Sequence, residues 1–260
     1  MSVTLATWNV NSLKVRLPHV LNWLAANPVD ALVLQELKMT DDVFPAAEIN
    51  AAGYQCVFTG QKIYNGVAIL SKVAAHDVQY NLPNFEDEQR RFIAATLPTH
   101  LGDFRVLCGY FPNGQAIDSD KFVYKLAWLD ALTAYTQVQL KVYPRLALGG
   151  DYNIAPADAD VHDPAAWLDQ LHCSVPERSR FQGLIDLGLT DAFRQFEHPA
   201  KTFSWWDYRM LGFQKNKGLR IDHWLVSETL RQQMTACHID RAPRKLPQPS
   251  DHAPVVVTFN

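Results

Sequence analysis

The chain has 260 residues, 48% of them hydrophobic and only 12 of them glycine, and its formal net charge at pH 7 is −3. This composition indicates a folded globular protein with a sizeable core. No apolar run approaches the roughly 18 residues that a membrane span requires, which excludes a membrane-spanning helix. The negative charge leaves a polyanionic partner open, because phosphate binding depends on a local basic patch.

The N-terminal stretch MSVTLATWNV lacks a basic segment followed by a long apolar run, so we expect no signal peptide and a cytoplasmic protein. The four cysteines are far apart and form no CxxC pair: Cys56, Cys108, Cys173 and Cys237. They predict buried free thiols in a reducing compartment rather than a zinc site or disulfide framework. No linker, charge block or repeat divides the chain, so we expect one domain over residues 1–260.

Short apolar runs rich in β-forming residues predict strands at 3–9, 31–36, 54–59, 66–71, 90–97, 104–111, 145–151, 218–227 and 253–259. Apolar residues spaced three to four apart predict helices at 11–26, 119–140, 177–187 and 228–235. Hairpin and crossover connections with helices between them favour two β-sheets packed face to face and flanked by helices.

Six of the predicted strands carry a carboxylate, carboxamide, phenol or imidazole at or near one end. In chain order these residues are Asn9, Glu36, Tyr110 with Asn113, Asp151 with Asn153, Asp222, and Asp251 with His252. Each alone is more typical of a turn, a cap or an exposed position. Asp222 differs because it lies between Ile221 and Trp224 in an apolar run, where a carboxylate is costly unless paired or bound to a cation.

If the sheets bring these strand ends together, their chemistry is coherent. Three carboxylates offer hard oxygen ligands suited to Mg²⁺ or Mn²⁺: Glu36, Asp151 and Asp251. His252 would be held in one tautomer by a carboxylate while its other nitrogen faces a phosphoryl oxygen. Asn9 and Asn153 would orient a water or a carboxylate without adding charge. The set predicts metal-assisted attack of water on a phosphodiester.

Nine segments carry a family resemblance: TWNVNSLKVRL, LQELK, YNGVAILSK, QRRFIAAT, GYFPNG, GGDYNIAP, TFSWWDYR, GLRIDHWLVS and PSDHAPV. In this order, over nearly the whole chain, they resemble the exonuclease III family of DNA-repair nucleases, within the endonuclease/exonuclease/phosphatase superfamily. The resemblance implies an α/β fold of the DNase I-like kind, a four-layer α/β/β/α sandwich of two mostly antiparallel sheets. It also implies a magnesium-dependent phosphodiester hydrolase that acts on duplex DNA.

The resemblance assigns metal binding to Glu36, Asp251 and Asn9, with Mg²⁺ as cofactor and Mn²⁺ as a substitute. It assigns catalysis to five residues: Tyr110, Asp151, Asn153, Asp222 and His252. Asp151 and Asn153 would position the attacking water, while His252, held by Asp222, would bind the scissile phosphate. The identity of the general base stays open.

Basic residues interleaved with aromatic ones predict contact with DNA phosphates and stacking on a sugar or base. The candidates are Arg90, Arg91, Asn113, Lys121, Trp205, Trp206, Tyr208, Arg209, Lys215, Lys217, Arg220 and Ile221. The alternative is a solvated loop with its aromatic side chains in the core. The family's FSWxDYR segment favours Trp205, Trp206 and Ile221 as the lining of a pocket for an extruded abasic sugar or frayed 3′ end. We expect a monomer that acts on DNA with abasic sites, nicks or blocked 3′ ends.

His172 departs from the family pattern, since typical members have a small residue at the aligned position beside the cleft. Its bulk would narrow the route for DNA that continues past the scissile bond. This favours 3′→5′ exonuclease and 3′-end cleaning, with weaker incision at abasic sites. Two alternatives are that His172 faces solvent, or that an alignment shifted by two residues puts Ser174 in this position.

Three other functions share much of the same sequence signal. The first is full abasic endonuclease activity as the main reaction. The second is another superfamily phosphoesterase, acting for example on inositol phosphates, which would have the same core residues. The third is a non-catalytic binding module, which we would expect to lack one or more of Glu36, Asp151, Asn153, Asp222 and His252; all five are present.

Overall fold

The computed structural model describes residues 2–260, and in them the chain forms fourteen β-strands and five α-helices. The strands are β1 Val3–Asn9, β2 Ala31–Gln35, β3 Gln55–Thr59, β4 Val67–Ser71, β5 His76–Tyr80, β6 Phe92–Thr99, β7 Gly102–Tyr110, β8 Leu146–Asp151, β9 Thr190–Asp191, β10 Trp205–Trp206, β11 Gly218–Leu219, β12 Asp222–Val226, β13 Met234–Ile239 and β14 Val255–Phe259. The helices are α1 Leu13–Ala26, α2 Ala46–Ala51, α3 Asp120–Val142, α4 Val175–Asp186 and α5 Glu228–Gln233.

Two six-stranded sheets contain most of these strands. The first sheet has the order β13–β14–β1–β2–β4–β3 and the second the order β5–β6–β7–β8–β12–β9, while β10 and β11 pair separately. Within the two sheets, neighbours are antiparallel except for β1 with β2 and β7 with β8. These parallel pairs are joined by α1 and α3, as crossover connections require.

The sheets pack face to face through an apolar core. Leu5 and Val33 of the first sheet share a buried cluster with Val106 and Trp224 of the second. The outer face of the first sheet packs against α1 and α2, and that of the second against α3 and α4. The structure therefore confirms the predicted four-layer α/β/β/α sandwich with mostly antiparallel sheets.

The predicted strand at 218–227 is wrong in one respect, because β11 and β12 are separated by Arg220 and Ile221. The N–H of Arg220 donates to the carbonyl of Asp160 and that of Ile221 to Ser204 Oγ, so both leave the sheet ladder. The predicted helix at 228–235 also ends earlier, since Met234 already pairs with β14.

Five of these strands and helices were not predicted: β5, α2, the two-residue strands β9 and β10, and the edge strand β13. The edge strand β5 has the sequence HDVQY, which is largely polar and exposed and so lacks a buried alternating face. The six-residue α2 buries one side chain, Ile49. Among residues 2–260 no helix is long and apolar enough to cross a membrane. All four cysteines are free thiols, three of them buried, whereas Cys56 is only half-buried.

The sheet topology brings the polar strand ends to one rim. Asn9 ends β1, and Glu36 directly follows the parallel strand β2. In the second sheet Tyr110 at the end of β7 is paired in register with Asp151 at the end of β8. Because β12 runs antiparallel to β8, its first residue, Asp222, pairs with Asp151. The rim of both sheets is thus lined with the side chains that the sequence singled out.

Candidate active site

Three buried side chains form the centre of the site. His252 lies with its Nδ1 atom 2.9 Å from Asp222 Oδ2 and 3.1 Å from Oδ1. Its Nε2 atom lies 3.7 Å from Asp151 Oδ2, which is too long for a hydrogen bond. The imidazole is therefore fixed on one side by Asp222 and directed on the other side towards Asp151.

The three groups shift one another's pKa values. Burial lowers the pKa of His252, but the carboxylates of Asp222 and Asp151 outweigh it and raise the pKa to about 10. Burial also raises the pKa of Asp151 to about 7, although His252 and the hydrogen bond from Asn9 oppose the rise. Imidazolium is thus the form of His252 that the surrounding carboxylates favour at neutral pH.

Asn9 connects two carboxylates at this rim. Its Nδ2 atom donates to Glu36 Oε1 at 2.8 Å and to Asp151 Oδ2 at 2.9 Å. Its Oδ1 atom accepts from the N–H of Asn11, which fixes the orientation of the amide. Asn9 therefore presents N–H groups rather than a ligand oxygen to the carboxylates. Glu36 itself has a positive φ of 57°, a sparsely populated conformation typical of functional sites.

A candidate metal centre consists of Glu36, Asp151 and His252, which each offer a ligand atom within 4.8 Å of the other two. Two carboxylates fit a hard cation such as Mg²⁺, whereas imidazole is an uncommon ligand for it. The predicted ligand Asp251 is outside this group. Its oxygens accept from Asn11 Nδ2 at 2.9 Å and Trp205 Nε1 at 3.0 Å.

Tyr110 lies beside the same carboxylates. Burial raises the pKa of Tyr110 well above its ordinary value, and Glu36 and Asp151 add to the rise. The phenol therefore stays protonated and is available as a hydrogen-bond donor. The Arg91 guanidinium stacks on the Tyr110 ring at 4.8 Å and donates to its backbone carbonyl at 3.3 Å. Arg91, predicted to contact DNA, is thus also a packing partner of Tyr110.

Asn153 extends the site along the second sheet. Its Nδ2 atom donates to the carbonyl of Phe111 at 3.0 Å, and its N–H donates to Asp151 Oδ1 at 2.9 Å. Its Oδ1 atom accepts from Asn113 Nδ2 at 3.2 Å. With a positive φ of 50°, Asn153 is a strained residue held by neighbours on three sides.

A groove of about 560 Å³ opens next to Glu36 and Tyr110. Its polar and basic lining includes Lys38, Arg91, Asn113 and Lys121. Arg90 is exposed but is not part of this lining. Arg209 is also exposed and outside this lining, and it forms an ion pair with Asp207. The groove thus contains Arg91, Asn113 and Lys121, which were predicted to contact DNA, together with Lys38.

Three other candidates for DNA contact are buried in the folded chain. Trp206 has no exposed area and packs with Phe203 and Ala253, and Ile221 is 2% exposed. Arg220 is 1% exposed and forms ion pairs with Asp160 and Asp191.

The aromatic and basic residues around these three lie nearer to the surface. Trp205 is half-buried, with its indole N–H on Asp251, so it lies closer to the rim than Trp206. Tyr208, Lys215 and Lys217 are exposed.

His172 is buried and lies against Asn153. Its Nδ1 atom lies 2.7 Å from the carbonyl oxygen of Asn153, and its ring faces Trp167 at a centroid distance of 6.4 Å. Burial lowers the pKa of His172 to about 4, with Lys125 contributing, so the ring is neutral near pH 7. The alternative that His172 faces solvent is wrong. Ser174, the other alternative, is buried as the N-cap of α4 and bonds to Glu177.

Several residues around the site were missed from the sequence. Asn11 donates to Asp251, and its Oδ1 accepts from Lys38 at 2.5 Å. Lys38 also forms an ion pair with Glu36 at 2.8 Å. Ser250 donates through Oγ to the carbonyl of Asn9 at 2.7 Å and accepts from the N–H of His252. The segments TWNVN, LQELK and PSDHAPV contain all three, so their proximity to predicted site residues was the available signal.

Comparisons with known proteins agree with this geometry. Residues 6–252 match the endonuclease/exonuclease/phosphatase family. Exodeoxyribonuclease III of Haemophilus influenzae is 36% identical over 263 aligned positions, which cover 97% of this chain and 98% of that protein.

Two solved structures are similar over the whole fold. The 3′–5′ exonuclease NExo from Neisseria meningitidis has a TM-score of 0.96 and 49% identity, covering 99% of this chain and 100% of that one. An AP endonuclease from Archaeoglobus fulgidus has a TM-score of 0.93 and 34% identity, covering 99% of both chains. The family match and the extent of these similarities confirm the predicted relationship. The chain belongs to the endonuclease/exonuclease/phosphatase family and, within it, to the relatives of exodeoxyribonuclease III.

Proposed function

We propose that this protein is a DNA-repair nuclease that hydrolyses phosphodiester bonds at the 3′ ends of duplex DNA, as a 3′→5′ exonuclease and a 3′-end-cleaning enzyme. The observation that carries the proposal is the buried row Asp222–His252–Asp151 beside Glu36. The similarity to exodeoxyribonuclease III and to NExo supports DNA as the substrate. We further propose that it acts in the cytoplasm as a monomer.

His252 is suited to bind and stabilise the scissile phosphate. Its Nδ1 is held by Asp222. Its Nε2 is too far from Asp151 for a hydrogen bond and is therefore free to bond to a substrate oxygen. Because the adjacent carboxylates raise the pKa of His252 to about 10, Nε2 stays protonated and donates a hydrogen bond to the oxygen. A fixed donor in a buried site stabilises the negative charge that develops during attack.

Asp151 and Asn153 are suited to position the attacking water. Asp151 Oδ1 accepts the N–H of Asn153 and Oδ2 accepts from Asn9, which fixes the carboxylate plane. A buried carboxyl group whose pKa is raised to about 7 exchanges protons near neutral pH, as a general base must. Tyr110, protonated and beside Glu36, would donate to a phosphate oxygen.

Glu36 would be the main ligand of the divalent cation, which we propose to be Mg²⁺ with Mn²⁺ as a substitute, while Asp151 beside it holds the water. When bound, such a cation polarises the phosphoryl oxygen and neutralises charge on the phosphate. Asn9 would keep the carboxylates of Glu36 and Asp151 at a fixed spacing, because its amide donates one hydrogen bond to each. Asp251, with both oxygens hydrogen-bonded, would act by holding Trp205 and Asn11 beside the site.

The preference for 3′ ends rests on His172. A buried imidazole against Asn153 supports the idea that its bulk closes the route for a strand that continues past the scissile bond. NExo, a relative at 49% identity, is described both as a 3′–5′ exonuclease and as a 3′ phosphatase. Abasic endonuclease activity is the second candidate, because the Archaeoglobus fulgidus relative is an AP endonuclease.

The test is a comparison of cleavage rates on three duplexes with Mg²⁺: a 3′-phosphate end, a plain 3′-hydroxyl end and an internal abasic site. We expect faster cleavage at the ends than at the abasic site, and a gain in abasic cleavage for His172→Gly. Equal or faster abasic cleavage by the parent would support the second candidate. An inositol phosphate is included as a fourth substrate, since turnover of it and of none of the duplexes would indicate another phosphoesterase. A chelator tests whether cleavage depends on the divalent cation.

A further inference from the structure

Another buried ion pair lies behind the site and has no part in the mechanism proposed above. Lys125 of α3 contacts Glu177 of α4, and neither side chain has any exposed area. Burying two charges costs more free energy than their attraction returns unless every proton and lone pair is satisfied. The three protons of the Lys125 ammonium have three acceptors: Glu177 Oε1 and the carbonyl oxygens of Asn153 at 2.8 Å and Asn113 at 3.2 Å.

Glu177 is satisfied as completely as Lys125. Its Oε1 atom accepts the N–H of His172 at 3.0 Å, and Oε2 accepts the N–H and the hydroxyl of Ser174 at 3.1 and 2.6 Å. The contacts with Ser174 form the capping box of α4 and have a structural purpose by themselves. The contacts with His172 and Lys125 are additional to that cap.

This pair holds two of the strained residues at the site. Asn153 and His172 have positive φ values of 50° and 72°, and His172 Nδ1 bonds to the same carbonyl of Asn153 that accepts from Lys125. Strained backbone persists only where surrounding contacts over-determine it. Lys125 and Glu177 supply such contacts: Lys125 holds the carbonyl of Asn153, and Glu177 holds the N–H of His172.

We propose that Lys125 and Glu177 are positioning residues that hold His172 against Asn153 and thereby determine how strictly the site excludes DNA that continues past the scissile bond. This inference rests on the proposed function. Without the ion pair His172 would relax from its strained backbone conformation, and the site would accept an internal abasic substrate. Water positioning by Asn153 would weaken as well and slow cleavage of every substrate.

The decisive variant is Lys125→Met, which keeps the length of the side chain and removes its charge. The readout is the ratio of the initial rates on the 3′-phosphate duplex and the internal abasic duplex. We expect this ratio to fall roughly tenfold, the usual effect of losing a buried hydrogen bond to a charged group. Glu177→Gln, which retains an acceptor for the α4 cap, should lower the ratio in the same direction and serves if Lys125→Met does not fold.

The matched control is Asp130→Asn, which breaks the exposed ion pair between Asp130 of α3 and Arg180 of α4. This variant removes a contact between the same two helices and should leave the ratio of the two rates unchanged. In a His172→Gly background, Lys125→Met should have no further effect on the ratio, because the residue through which it acts is absent.

Three results would overturn the inference. An unchanged ratio in the folded variants would mean that the pair only supports the helices. An equal fall of the ratio in the His172→Gly background would show that Lys125 acts through another group. A parent that cleaves neither DNA substrate would overturn the proposed function, and the inference with it, whereas the first two results leave the proposed function intact.

Discussion

Asp222 and His252 form a buried carboxylate–imidazole pair in which Nδ1 lies 2.9 Å from Oδ2 and the side chains are 0% and 5% exposed. Asp222 begins β12 of the second sheet, whereas His252 precedes β14 of the first sheet. The pair therefore connects the two sheets at the rim. Its geometry fixes the tautomer and the direction of the imidazole, which is the role of a carboxylate behind a catalytic histidine.

Replacing Asp222 by Asn should reduce kcat on a 3′-phosphate duplex by roughly 10²–10⁴-fold, because the amide neither raises the pKa of His252 nor fixes its tautomer. Thermal unfolding should show that the variant is folded. Asp130→Asn, an exposed carboxylate in an ion pair on α3, is the matched control and should retain the parent rate. A kcat within twofold of the parent would remove Asp222 from the catalytic set.

Replacing Glu36 by Gln should weaken divalent-cation binding at least tenfold, because a charged oxygen ligand is exchanged for a neutral amide. Titration with Mn²⁺ followed by electron paramagnetic resonance measures this binding without any substrate. Glu48→Gln, an exposed position in α2, provides the control. Parent-like Mn²⁺ affinity in Glu36→Gln would mean that the cation binds elsewhere.

The main site residues could be predicted because a simple rule places them. A strand alternates its side chains, and parallel neighbours end at the same edge of a sheet, so polar residues at strand ends tend to meet. Tyr110 and Asp151 obey this rule, since they end the parallel strands β7 and β8 and are paired in register. Asp222 reaches the same edge as the first residue of the antiparallel strand β12. Asp251 does not obey the rule, because it directly precedes His252 and consecutive side chains point in different directions; its carboxylate bonds to Asn11 and Trp205.

The buried members of the basic and aromatic segment could not be recognised from its composition. Arg220 resembles a DNA-contacting arginine in the sequence, but its partners Asp160 and Asp191 are 60 and 29 residues away along the chain. Only the folded structure brings those acids to it. The same limit applies to Lys125 and Glu177, which are 52 residues apart and lie on two helices.

His223 should make stability depend on pH on the acid side. Burial and the neighbouring Arg220 lower the pKa of His223 to about 4, while an unfolded histidine titrates at about 6.5. Between these two pH values the unfolded chain binds more protons than the folded chain. The contribution of His223 to the free energy of unfolding is therefore present above pH 6.5 and is lost as the pH falls towards 4. The loss approaches about 3 kcal/mol.

Urea unfolding of the parent and of His223→Gln at pH 7 and pH 5 measures this effect. The variant should be less stable than the parent at pH 7, with a smaller difference between the two at pH 5. Asp151, whose raised pKa acts in the opposite direction, is common to both proteins and cancels in the comparison. A stability difference that stays constant between pH 7 and pH 5 would contradict a neutral buried His223.

Replacing Lys121 by Ala should weaken duplex DNA binding, because Lys121 is exposed and lines the groove beside Tyr110. One lost phosphate contact lowers the slope of log affinity against log salt by about one. Fluorescence anisotropy at several salt concentrations, with the cation chelated to prevent cleavage, gives both quantities. Lys72→Ala is the control, since Lys72 contacts Asp30 and the carbonyl of Pro28 and is not part of the groove. An identical affinity and salt slope for Lys121→Ala would show that the DNA backbone does not follow this groove.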